Sequence, residues 1–179
     1  ILLSIVISTF FFYFYKTSNL DKADIKINKN EEIQVDAETG TLIKNIFYSF
    51  SDTKGNKYEL KSEFGKVNLK NADEIFMTNV VGTIFLIESS PVKIVSKYAN
   101  YNKSDHETNF FKNVEVTHLV HKATSQNLDL SLKSNIAKIY NNVFYQKPGT
   151  KLFADQIEID LLTKDSKIFM DNQSEKIKI

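Results

Sequence analysis

Cysteine, arginine and tryptophan are all missing from the 179 residues. Without cysteine there are no disulfides, no thiolate metal site and no thiol nucleophile. Without arginine there is no planar fork to grip a phosphate or carboxylate through two bonds, so an anion must be met by lysine point charges or backbone amides. The 23 basic residues are all lysine and nearly cancel 22 acidic ones, for a net charge of +1. That balance offers no strongly basic face, and nucleic acid is not expected as a partner. Glycine and proline are scarce, at 5 and 2, against 14 Phe and 8 Tyr. Such a composition favours aromatic-rich strands over a disordered chain.

The longest uncharged run is ILLSIVISTFFFYFY, residues 1–15, which ends in aromatics before Lys16. It falls short of the roughly 20 residues that span a bilayer. The chain starts at Ile1 rather than at Met, so the reading is a transmembrane helix truncated at its N-terminus. A cleaved signal peptide is the other reading, but it would exit through small residues, and here Phe14, Tyr15 and Lys16 stand at the exit. An aromatic belt of this kind suits a membrane interface. Residues 16–40 are polar and charged and read as a juxtamembrane linker, with a short strand at 24–28 or 33–35. Residues 41–179 form the folded domain.

From Leu42 onward apolar and polar residues alternate, and no stretch of 12 residues keeps helical spacing. Strands are expected at 46–50, 57–64, 74–88, 92–101, 108–121, 127–135, 136–146, 152–162 and 167–171. Gly55 and the Pro148-Gly149 pair mark turns, and Gly82 inside a strand marks a bulge. The class is all-β, in about ten to twelve strands.

A unit recurs along these strands. Ser62 precedes Asn79 by 17 residues, Ser96 precedes Asn113 by 17, and Asp155 precedes Asn172 by 17. An apolar residue stands two before each first member (Leu60, Ile94, Phe153), and a Phe three before each Asn (Phe76, Phe110, Phe169). A repeated hairpin of this length must stack on its neighbours to bury its apolar face, because one hairpin alone is marginal in water.

Catalysis finds little support. No nucleophile elbow, phosphate loop or zinc signature occurs. His118 and His121 form H-x-x-H, but on one continuous strand residues three apart face opposite ways. His106 stands alone. Glu115 or Asp129 could face Glu158 across strands, although solvated sheet charges are the default. No metal or cofactor is expected. What remains is a set of apolar faces: Val92, Ile94 and Tyr98; Val114 and Val116; Leu128, Leu130 and Leu132; Ile157, Ile159 and Leu161. Periodicity alone fits a closed sandwich core better than an open trough, and both readings stand at this point.

The stretches TKGNKYELKSEFGKV (53–67), EIFMTNVVGTI (74–84), VKIVSKYANYN (92–102), FFKNVEVT (110–117) and IYNNVFYQKPGTKLFADQIEI (139–159), behind an uncleaved apolar segment, resemble the LptC family. The resemblance implies an open, twisted β-jellyroll behind a single transmembrane helix in the bacterial inner membrane, with the domain in the periplasm. It implies no enzyme activity, but an interior that carries the lipid A acyl chains of lipopolysaccharide. On it rest the lining residues Tyr58, Leu60, Phe76, Ile94, Tyr98, Phe110, Val114, Val116, Leu130, Leu132, Ile139, Val143, Ile157 and Ile159. It further implies docking of the inner-membrane ABC exporter at the N-terminal edge, where Gly55 matches a family glycine. The soluble periplasmic bridge protein LptA would dock at the C-terminal edge, through Ile168, Phe169 and Met170. The same-fold bridge protein and a jellyroll carbohydrate-binding protein are the alternatives.

Overall fold

The computed structural model describes residues 34–36 and 40–170, except 53 and 69. The segment 1–33, with the expected membrane helix and most of the linker, and Asn172 of the repeat lie outside the described residues. Among those described, no helix is long and apolar enough to cross a membrane.

Ten strands follow in order: β1 (Gln34–Asp36), β2 (Gly40–Ser51), β3 (Lys57–Val67), β4 (Glu74–Phe85), β5 (Val92–Asn102), β6 (Thr108–His118), β7 (His121–Ser131), β8 (Ile136–Lys147), β9 (Thr150–Asp160) and β10 (Ser166–Phe169). Each pairs antiparallel with the next, giving one ten-stranded sheet in sequence order, with β1 and β10 as its two edges. The expected open antiparallel sheet of hairpins is present. Its connectivity is a plain meander, without the Greek-key crossover of a jellyroll.

One strand boundary differs from the expectation. Residues 108–121 are not one strand, because the chain reverses at Leu119-Val120 and His118 pairs with His121. Neither residue is a usual hairpin-turn residue, and Leu119 takes a left-handed φ of 53°. The sequence carried no Gly, Asn or Asp there to announce the turn.

A line of left-handed residues crosses the sheet and explains its curl. Asn45 on β2, Asn79 on β4, Asn113 on β6 and Asn142 on β8 all have φ between 52° and 59°. Asparagine tolerates that region better than other non-glycine residues, which is why the unit ends in Asn. The bulge expected at Gly82 therefore lies at Asn79, while Gly82 pairs regularly with Leu60 and Ile94. On β3, β5 and β7 the facing serines Ser62, Ser96 and Ser125 are buried. Ser96 Oγ donates to the Tyr98 carbonyl at 2.8 Å and Ser125 Oγ to the Asn127 carbonyl at 2.9 Å. Each interruption shifts the inward set by one residue. On β4 the buried residues are Ile75 and Met77 before Asn79, then Val80 and Ile84 after it. On β5 they are Ile94 and Ser96, then Ala99 and Tyr101.

The bent sheet wraps until strands that are not neighbours touch. Tyr48 on β2 meets Tyr101 on β5 with ring centroids 5.0 Å apart. Phe50 stacks on Tyr58 at 5.0 Å and on His106 at 4.5 Å. This aromatic group closes the β2–β5 part of the interior, and each large side chain so buried contributes about 1.5–3 kcal/mol. Burial raises the phenols of Tyr48 and Tyr101, and burial followed by the Asp52 charge pushes Tyr58 up to about 12.

Candidate functional site

Where the aromatic group ends, the interior is not filled. A cavity of about 500 Å³ runs between β4–β7 and β8–β10, a volume within the usual range of ligand sites. Its walls are mostly aliphatic and include Ile84, Leu86, Val92, Ile94, Val116, Leu128, Ile139, Leu152, Ile157 and Ile159. Ala123 on β7 and Ala137 on β8 also line it, opposite Tyr145 and Ile159. These inward alanines leave room that larger side chains would fill. Periodicity marks inward positions without weighing their volume, so it does not separate the packed part of the interior from this cavity.

The expected lining residues divide in three. Ile94, Val116, Ile139, Ile157 and Ile159 border the cavity. Tyr58, Leu60, Phe110, Val114, Leu130 and Val143 are inward but packed in the core, and Leu132 lies in the turn after β7, partly buried against that core. Phe76 and Tyr98 are on the other face. Phe76 is 41% exposed; its ring lies 5.4 Å from Tyr98 and 6.2 Å from Phe111, and the Lys97 and Lys112 ammonium groups lie 5.3 and 5.7 Å from the Tyr98 ring. The cause is the phase shift. Unbroken period two from Ile94 carries Tyr98 inward, but the chain loses step after Ser96, and Ala99 goes in instead.

The docking residues have clear surroundings. Gly55 sits in the β2–β3 turn at φ 89°. There the Asp52 carboxylate accepts from the amides of Lys54 and Asn56, both at 2.9 Å. Asn56 Oδ1 in turn accepts from the Ile87 amide at 3.0 Å, tying this turn to the β4–β5 loop. Ile168 and Phe169 are on β10 and exposed, with Met170 just beyond. Among the described residues β10 pairs on one side only, and Ile168 also reaches the cavity wall.

The candidate chemistry resolves into separate pairs. Glu115 meets Lys122 at 2.7 Å, and Glu158 meets Lys167 at 3.9 Å. Asp129 accepts from Asn109 at 3.0 Å and from the Tyr140 hydroxyl at 3.3 Å. The three carboxylates thus have different partners. His118 and His121 do share a face, contrary to the sequence expectation, because the turn lies between them; their rings stack 6.2 Å apart. Among the described residues no group of three or more His, Cys, Asp or Glu side chains could hold a metal ion. His106 lies in the β5–β6 turn with Nδ1 2.9 Å from the Tyr101 hydroxyl, and burial lowers its pKa.

The described residues thus form a curled open sheet around an apolar cavity, with β10 at one edge. The model of the LptC family, described as lipopolysaccharide-assembly, LptC-related, matches residues 1–170, and the chain belongs to that family. Membership places it in lipopolysaccharide transport. No match is found among curated proteins.

Proposed function

We propose that the chain is the inner-membrane-tethered carrier that receives lipopolysaccharide from the ABC exporter and passes it to the soluble periplasmic bridge protein LptA. The observation that carries this reading is the aliphatic cavity beside the edge of β10, which is unpaired among the described residues. Acyl chains lie in the cavity, on Ile94, Val116, Ile139, Ile157 and Ile159. LptA adds a strand to β10 across Ile168, Phe169 and Met170, as exposed edges readily accept one. The exporter docks at the β1 edge, near the Gly55 turn, and residues 1–15 hold the chain in the inner membrane.

No bond is made or broken in this task. Each buried methylene contributes about 0.8 kcal/mol, and donor and acceptor troughs bury the same groups. Transfer between them is therefore close to neutral, and direction comes from the exporter's ATP cycle and from lipid arriving behind. A carboxylate set in the trough opposes acyl burial, since an unpaired charge in apolar surroundings is strongly disfavoured. Val116→Asp and Ile159→Asp in the full chain should each lower co-purified lipopolysaccharide several-fold. Phe153→Asp, at an exposed position, should not. Equal lipopolysaccharide on all three folded variants would refute the trough as the binding site.

A further inference from the structure

The cavity is apolar along its length, and its polar groups gather at two ends. One end is the β6–β7 hairpin, with His118, His121, Lys122 (whose ammonium is held by Glu115), Tyr145 and, from the β4–β5 loop, Ser89. The other is the β9–β10 turn, with Asp160, Lys164 and Ser166. Along β9 from Leu152 to Ile159 they are roughly 24 Å apart, at about 3.4 Å per residue.

The two ends differ in what they offer. At the hairpin end each imidazole has one nitrogen engaged by a hydroxyl. Ser89 Oγ lies 3.4 Å from His118 Nε2, and the Tyr145 hydroxyl 2.6 Å from His121 Nδ1. These contacts orient both rings and leave His118 Nδ1 and His121 Nε2 for a ligand. Among the described residues no carboxylate lines the cavity there. The nearby Glu115 alternates with the inward Val114 and Val116 and is held by Lys122. At the turn end Asp160 lines the cavity. Its carboxylate accepts from the Leu162 and Thr163 amides at 2.8 and 3.0 Å, which favours the ionised, anion-repelling form. Lys164 shares that end and is the competing cation.

We propose that the His118–His121 end seats the anionic phosphate head of an amphiphile whose apolar tail lies along β8 and β9. This rests on the trough being a lipid site and adds the direction in which the lipid lies. With each hydroxyl bonded to its imidazole, His118 Nδ1 and His121 Nε2 remain to donate to phosphate oxygens, and the aliphatic wall begins two residues further in, at Val116 and Ala123. The occupant is a phosphorylated lipid rather than free phosphate, because the polar end opens directly onto the apolar wall.

The test uses the full chain and three probes: diphosphoryl lipid A, the same lipid after enzymatic dephosphorylation, and inorganic phosphate. The wild type is expected to bind the phosphorylated lipid most tightly and inorganic phosphate far more weakly. His118→Ala/His121→Ala should lose roughly tenfold for the phosphorylated lipid, about one charge-assisted hydrogen bond, and nothing for the dephosphorylated one. Lys164→Ala should change neither. Equal binding of the two lipids by the wild type overturns the head site but leaves the trough standing. So does a larger loss in Lys164→Ala than in the double histidine variant, or inorganic phosphate binding as tightly as lipid. Failure of the wild type to bind either lipid overturns the trough and the head site together. A circular dichroism spectrum matching wild type confirms that the histidine variant is folded.

Discussion

Ser96 Oγ donates to the carbonyl of Tyr98, two residues ahead, and the same bond joins Ser125 to Asn127. Both serines are buried where the strand changes phase, and each hydroxyl is satisfied by a local bond to the backbone two residues on. Ser62 holds the equivalent place on β3, yet its Oγ is buried with no partner among the described residues. Ser96→Ala and Ser125→Ala should each lose about 1–2 kcal/mol in urea denaturation. Ser62→Ala should be neutral or stabilising, because it removes an unpaired polar atom. Equal losses at all three sites would show that the bond is not what the serine supplies.

Gly65 on β3 faces inward, and a Cβ there would lie 2.0 Å from Ile46 Cδ1 and 3.3 Å from Ile46 Cγ1 and Ile75 Cγ2. Gly65→Ala should destabilise by about 1–3 kcal/mol through overpacking. Ile46→Val removes the clashing methyl. Together with Gly65→Ala it should therefore give a smaller loss than the two single losses added, read as a coupling in a double-mutant cycle. Simple additivity would mean that Ile46 turns aside without strain.

His106 is kept neutral by burial against Phe50 and Tyr101, which lowers its pKa, while the adjacent Asp105 opposes the shift. The unfolded state takes up the proton more readily. The stability from neutral His106 is therefore complete above the ordinary histidine value of about 6.5 and declines as pH falls below it, towards the lowered folded value. His106→Asn keeps a residue that accepts the left-handed φ of 58° but does not titrate. Between pH 7 and pH 5 the wild-type Tm should fall more steeply than that of the variant. Parallel curves would remove His106 as the cause.

The strands and their alternation were legible in the sequence, because aliphatic period two is a local property. The repeat was legible too, but only in part. Ser125 precedes Asn142 by the same 17 residues as the other pairs, but this copy is hard to see in the sequence because Ala123 and Ile139 stand where other copies have a large apolar residue and a Phe. That missing copy supplies β7 and β8, and its small Ala123 is part of what keeps the cavity open. Tyr98 was misplaced for a related reason: the left-handed step that flips the inward set leaves no mark in hydrophobicity, only in the Ser and Asn that make it possible. The Leu119-Val120 reversal carries no turn chemistry at all. Those two side chains are 72% and 61% exposed, and the pairing of His118 with His121 followed only from the three-dimensional register.

The central claim is that lipid lies against the inner face and not the outer one. Photoreactive amino acids at Val116 and Ile159, on the cavity wall, and at Phe76 and Tyr98, on the outer aromatic face, test it in cells making lipopolysaccharide. Crosslinks to lipopolysaccharide are predicted from Val116 and Ile159 and none from Phe76 and Tyr98. Crosslinks from the outer pair with none from the inner pair would contradict the account.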